Sequence, residues 1–183
     1  MFALVSRTII IFLGLNLVLS DTLFGQNKKP ASGTTQDRLL KEVRHELITL
    51  PFYNVFDDLA FKVEGTTVTL LGYVTRPTLK SSAEQVVQRI EGVEKVVNQI
   101  EVLPLSPNDD TIRRAAYRAI YGHEVLMKYA IQAIPSIHII VKNGHITLAG
   151  VVATAMEKNL AEIQAKGVFG VFSVTNQLRL EKE

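Results

Sequence analysis

Four histidines and one row of arginines and tyrosines are the residues of this sequence whose types and spacing could do chemistry. His138 and His145 flank Asn143-Gly144, the dipeptide that most readily takes two positive φ angles in a tight hairpin turn. That turn sets His145 opposite Lys142 and leaves His138 about 13 Å away at roughly 3.3 Å per residue, too far to share a metal ion. His123-Glu124 lacks the second histidine of H-E-x-x-H, and His45 falls on the polar side of a charged helix. No metal site is expected from these ligands. No serine stands in G-x-S-x-G, no glycine-rich loop could cradle phosphate, and the carboxylates fall on solvated helix faces. The sequence predicts no catalytic residue and no cofactor.

The other row is more promising. Arg114, Tyr117, Arg118 and Tyr121 fall at i, i+3, i+4 and i+7 of a helix, one stripe of alternating cation and phenol. Arg113 flanks it, and Lys128 and Tyr129 extend it. Guanidinium groups pair with phosphate and tyrosine settles at the boundary between water and lipid headgroups, so the chemistry suits an anionic phospholipid surface. The matching helix earlier in the chain carries Arg38, Lys41, Glu42, Arg44, His45 and Glu46, a mixed and ordinarily solvated face. Two alternatives stand beside the membrane reading. Tyr117 and Tyr121 pack against the other half of the chain or a neighbouring turn, or the stripe and the outer hairpin face of His138, Ile140 and Thr147 dock an envelope protein.

The elements that must position these residues follow from periodicity. Ile137, Ile139 and Val141 alternate with His138, Ile140 and Lys142, a strand with one buried face, and the chain returns through Ile146, Leu148 and Gly150. An earlier stretch repeats this one: Val63, Thr69, Leu70, Gly72 and Val74 match Val141, Thr147, Leu148, Gly150 and Val152 without a gap. Before each hairpin stands a helical pattern, Asp37 to Leu50 and Ile112 to Tyr121, the latter opened by Asp109 or Asp110. After each comes a second helix, with Pro77 in the first turn of one and a Thr154/Glu157 capping box opening the other. A third strand closes each unit, Val96 to Leu103 in the first. The fold expected is α+β: two α-β-β-α-β repeats, each a three-stranded mixed sheet covered on one face by two helices. Residues 37–104 and 109–183 form the repeats, 105–108 link them, and His123 to Ala133 adds a helical turn or two that the first repeat lacks.

The 183 residues are 47% hydrophobic with a formal net charge of only +2, so no global basic field argues for nucleic acid. Cysteine is absent, which removes disulfides, thiol catalysis, cysteine-bound zinc and a lipoprotein acylation site. Residues 1–25 read as a signal peptide: Arg7, an uncharged apolar run from Ile9 to Leu19 shorter than the roughly 20 residues of a membrane span, then Ser20-Asp21. Cleavage between Asp21 and Gln26 would release a periplasmic or secreted protein, and an uncleaved segment would anchor it. Residues 26–36, with Lys28, Lys29 and Pro30, read as a flexible leader.

Val68-Thr69-Leu70-Leu71-Gly72 and Ile146-Thr147-Leu148-Ala149-Gly150, followed by Gly-Val-x-x-Val-x-Asn at Gly92 to Asn98 and Gly170 to Asn176, resemble the BON domain, a family named for bacterial osmotically inducible and nodulation proteins. The resemblance covers nearly everything from Asp37 onward. It implies a periplasmic or envelope protein that binds phospholipid surfaces and helps maintain the envelope under stress, without catalysis. The chain departs from the family pattern between Tyr121 and Pro135 and lacks the lipidated cysteine of some members. Among the family positions, Gly72 and Gly150 are expected to permit close backbone packing, Gly92 and Gly170 to follow the second helices, and Asn98 and Asn176 to tie loops by side-chain hydrogen bonds.

Overall fold

In the computed structural model, which describes residues 35–132 and 134–181, helically spaced apolar residues make Thr35–Ile48 the first helix, α1. The expected signal peptide and most of the leader lie outside the described residues, but the helix takes the leader's last two positions. Strands β1 (Asp58–Glu64) and β2 (Thr67–Val74) form the first hairpin, closed by Gly65-Thr66. Helix α2 (Pro77–Gln88) carries its proline in the first turn, where the missing N–H costs nothing. The last strand is broken into β3 (Lys95–Asn98) and β4 (Glu101–Val102), because Asn98 turns its side-chain oxygen onto the Ile100 N–H and Ile100 dives into the core.

The order then repeats: α3 (Pro107–Tyr121), β5 (Ile137–Lys142), β6 (His145–Val152), α4 (Ala155–Lys166), β7 (Ser173–Asn176) and β8 (Arg179–Leu180). Between α3 and β5 the extra segment makes a single 3-10 turn at Met127–Ala130. Each sheet is mixed, with the return strand of the hairpin in the centre, antiparallel to the strand before it and parallel to the broken last strand. The linker is shorter than expected. Ser106 caps α3 by accepting from the Asp109 N–H, and Pro107 and Asn108 are already helical. Asp109, freed from capping, is fully buried and accepts the N–H groups of Asn143 and Gly144, fixing the hairpin turn to the start of α3.

The described residues form one compact unit, and the joint between the repeats is built by the loop before β1. Val55 belongs to the core of the second repeat, with Phe56 packed beside it. The Val55 carbonyl accepts the Ile139 N–H at 2.8 Å, occupying a group on the otherwise open edge of β5. Tyr53 stacks on His138 with ring centroids 5.5 Å apart, and Lys142 pairs with Glu101. The outer face of β5 is therefore covered: His138 and Ile140 are buried along with Ile137, Ile139 and Val141. This corrects the expectation of one exposed hairpin face, since Tyr53 of the first repeat occupies His138, Ile140 is buried and Thr147 is half-buried.

Gly72 and Gly150 sit where each hairpin bends, at φ 113° and 115°. A Cβ on Gly150 would lie 2.0 Å from the Ser136 carbonyl oxygen, and one on Gly72 would lie 2.1 Å from that of Asp58. Both the φ and the contact forbid a side chain. Gly150→Ala or Gly72→Ala is expected to cost about 3 kcal/mol or more, read as a lower urea midpoint. Because Val55 and Phe56 belong to the other repeat's core, both repeats should unfold in one transition.

Candidate functional site

The helix expected to carry the aromatic and cationic stripe is α3, and packing divides that stripe. Its core side is set by Ile112, Ala116 and Ile120, all buried. Arg114 and Arg118 stand exposed on the far side, and neither is in an ion pair among the described residues. Tyr117 is half-buried, its ring edge-on to Phe56 of the first repeat at 6.3 Å and tilted against Tyr121 at 4.9 Å. Tyr121 is only 4% exposed and donates its hydroxyl to the Ile137 carbonyl. Burial, outweighing that hydrogen bond, pushes its phenol well above the usual range. The position was expected to face outward. It faces inward because the extra segment and β5 close over the end of the helix.

Arg113 is also buried, with its guanidinium bonded to the Asp110 carboxylate and the Val141 carbonyl. It is a strut between α3 and β5. Lys128 and Tyr129 are claimed in the same way. Tyr129 is buried, donates to the Glu157 carboxylate at 2.9 Å and accepts the Ala153 N–H, while Lys128 forms an ion pair with Glu157. Glu157 completes a capping box with Thr154. Burial raises its pKa, but the bonds from Lys128, Tyr129 and Thr154 together hold the carboxyl below its ordinary value. In the first repeat this position is Leu79, itself buried. The second repeat has exchanged a core leucine for a carboxylate and uses the extra segment to satisfy it. Of the predicted membrane residues, Arg114 and Arg118 remain exposed cations outside any ion pair among the described residues.

The family positions hold the repeats together internally. Asn98 donates to the Lys80 carbonyl and the Glu84 carboxylate, and Asn176 does the same to Lys158 and Glu162. Each also accepts from the N–H two residues on. Gly92 and Gly170 take positive φ in the turns after α2 and α4, against Leu39 and Ile112.

Titratable groups converge elsewhere, in a groove of about 530 Å³ between the repeats that includes Arg44, Tyr53, Asp58, His138 and Arg179. His138 is 8% exposed and its Nδ1 is buried without a partner. Burial pushes its pKa down, against the opposite pulls of Asp58 and of the Asp57 and Asn54 backbones. Burial likewise raises Asp58, opposed by His138 and Arg179. No serine, threonine, cysteine or lysine lines the groove for the histidine to activate. Among the described residues no three histidine, cysteine, aspartate or glutamate side chains are placed to hold a metal ion.

One surface feature has no counterpart in the predicted site. Met156, Ile163, Phe169 and Phe172 are large apolar side chains left in solvent on the second repeat. The aligned repeats carry the signal, since Phe169 and Phe172 stand where the first repeat has Glu91 and Glu94. Exposure is not legible there, because apolar residues around a glycine after a helix can equally be core.

The His138 site yields a pH prediction. Its folded pKa is depressed, so its contribution to stability is present above the unfolded value of 6.5 and is lost as pH falls through the folded one. Asp58, raised from 3.8, works in the opposite sense and lower in the acid range. Urea midpoints should fall between pH 7.5 and 5.5, and His138→Gln should flatten that part of the profile.

Comparison with known proteins places this geometry. The chain matches the BON domain over residues 54–104 and 108–182, one match per repeat. It is 30% identical over 125 residues to the osmotically-inducible protein Y of Escherichia coli strain K12, a stretch covering 67% of this chain and 61% of that protein. The chain thus aligns with about three-fifths of the length of that curated relative. Two solved structures of CdsD, a structural protein of the type III secretion system of Chlamydia trachomatis, one of them its C-terminal domain, are 15% and 14% identical. They cover 78% of this chain and 92% and 96% of their own, with TM-scores of 0.29 and 0.28, an overlap too slight to carry an argument. The family match spans well over half of the chain and falls once on each repeat of the fold, and the chain belongs to the BON domain family.

Proposed function

We propose that this is an exported, non-catalytic protein of the bacterial envelope, periplasmic after cleavage of its signal peptide, whose second repeat rests on anionic phospholipid surfaces in envelope maintenance or stress response. The observation that carries this is the difference between two equivalent helix faces. Aligning α1 and α3 by their buried positions sets Arg114 and Arg118 against Lys41 and His45. The same alignment sets Ala115 and Ala119 against Glu42 and Glu46. The second repeat has arginines at both positions and alanines in place of the two acids, so its face attracts phosphate where the first is neutralised. Among the described residues no helix is long and apolar enough to cross a membrane.

Each cation near an anionic surface contributes about 1 kcal/mol, so removing two should weaken binding roughly thirtyfold. Arg114→Glu with Arg118→Glu is expected to abolish sedimentation with phosphatidylglycerol-containing vesicles, and added salt should imitate it. Lys41→Glu with Lys62→Glu, both on exposed positions of the first repeat, should change little. Equal losses from the two pairs would reduce the effect to net charge, and no vesicle binding by the unaltered protein would overturn the reading. Export has its own measurement: the intact mass of protein recovered from the producing cell should correspond to a start between Asp21 and Gln26.

A further inference from the structure

Phe169 is 99% exposed and Phe172 76%, on the tight turn between α4 and β7. Ile163, in the last turn of α4, is 63% exposed, and Met156, two turns earlier on the same face, 66%. Folding does not require these residues. Strand register and the asparagine bonds superimpose the repeats, so that Thr78, Gln85, Glu91 and Glu94 occupy the same places in the first, all at the surface. One backbone thus carries polar and acidic residues in one copy and four large apolar ones in the other, with no core packing gained.

The exposure of Phe172 is built. In the first repeat Glu94 accepts a hydrogen bond from Thr66 across the hairpin turn. The second repeat has Gly144 in place of Thr66, and a Cβ there would lie 2.5 Å from the Phe172 ring. The ring rests in that gap with its other flank tilted on His145 at 5.8 Å, and its N–H is bonded to the Gly144 carbonyl. Phe172 is held in place while most of its surface stays in water. Gly170 lies against Ile112, which sets this turn beside the first half of α3, the helix that carries Arg114 two residues further on.

We infer that Phe169 and Phe172, with Ile163, are the element that enters the lipid layer, inserting at the boundary between headgroups and acyl chains while the α3 arginines meet phosphate. The inference rests on the phospholipid reading above and adds the insertion site to it. A bilayer fits better than a protein partner on two grounds. The exchange removes both glutamates, which an anionic surface would repel. Four apolar side chains are also far short of the roughly 20 residues a side that a stable protein interface uses, whereas a few apolar groups added to electrostatic attraction suffice at a membrane surface.

The sequence has no tryptophan, so Phe169→Trp in the full chain gives a single reporter. Its emission should shift to the blue on phosphatidylglycerol-containing vesicles and be quenched by brominated lipid. Phe169→Glu with Phe172→Glu restores the residue types the same backbone accepts in the first repeat. It should leave the melting temperature unchanged and weaken vesicle binding by about tenfold or more. Vesicle binding that persists without quenching, or a loss in the double variant without quenching in the reporter, overturns insertion and leaves the phospholipid reading standing. Self-association in solution that the double variant abolishes would assign the patch to a second copy and overturn it as well. Failure of the unaltered protein to bind vesicles removes both.

Discussion

The open edge of β5 is the constraint on which the arrangement of the second repeat depends. An edge strand presents unpaired N–H and C=O groups that invite any extended chain to add to the sheet. Here the loop before β1 answers that edge from within the chain, with the Val55 carbonyl on Ile139 and Tyr53 against His138. Because the loop lies immediately before the first hairpin, the two repeats cannot separate without baring both that edge and the apolar surface of Val55 and Phe56. The joint buries a histidine whose Nδ1 has no partner, a cost that neutral imidazole limits and protonation would enlarge.

Two copies of one fold in a single chain separate what the fold needs from what it tolerates. Both copies keep the asparagine that ties the second helix to the last strand and the glycine whose φ and neighbours leave no room for a side chain. The helix-to-hairpin tie is kept as a role while its residue changes: Asp109 holds the second turn by two N–H groups, and Gln36 reaches the Val63 carbonyl in the first. Where the copies differ they do so in groups of residues. Glu157 arrives with Tyr129 and Lys128 to neutralise it, and Phe172 arrives with a glycine beneath it. The first exchange would not be tolerated alone, since a buried carboxylate without partners is costly.

The same comparison explains why the functional reading falls on the second repeat. On α1 the cations are interleaved with Glu42 and Glu46, and Arg38 is spent on Glu42 and on the Glu91 carbonyl. On α3 the corresponding acids are alanines. Surface charge, unlike core packing, contributes little to fold stability, so this face was free to change without cost to the scaffold.

The sequence by itself determined whatever depends on neighbours along the chain. The Asn143-Gly144 turn puts Lys142 opposite His145, the Thr154/Glu157 pair caps its helix, Pro77 starts another, and the duplicated motifs define the repeat and its family. These are local because a turn, a cap or a strand period is set by a few adjacent dihedrals and side chains. Only the tertiary structure decided which faces water reaches. Periodicity shows that Tyr117 and Tyr121 share a side of α3, but Phe56 and the carbonyl of Ile137 decided that both turn inward. It likewise shows that His138 and Ile140 share a face of β5, but Tyr53 of the first repeat occupies His138 and Ile140 is buried as well. Phe169 and Phe172 read as core by type and stand in solvent because no segment among the described residues folds over their turn. Coverage is supplied by segments distant in the chain, and no local pattern records whether such a segment arrives.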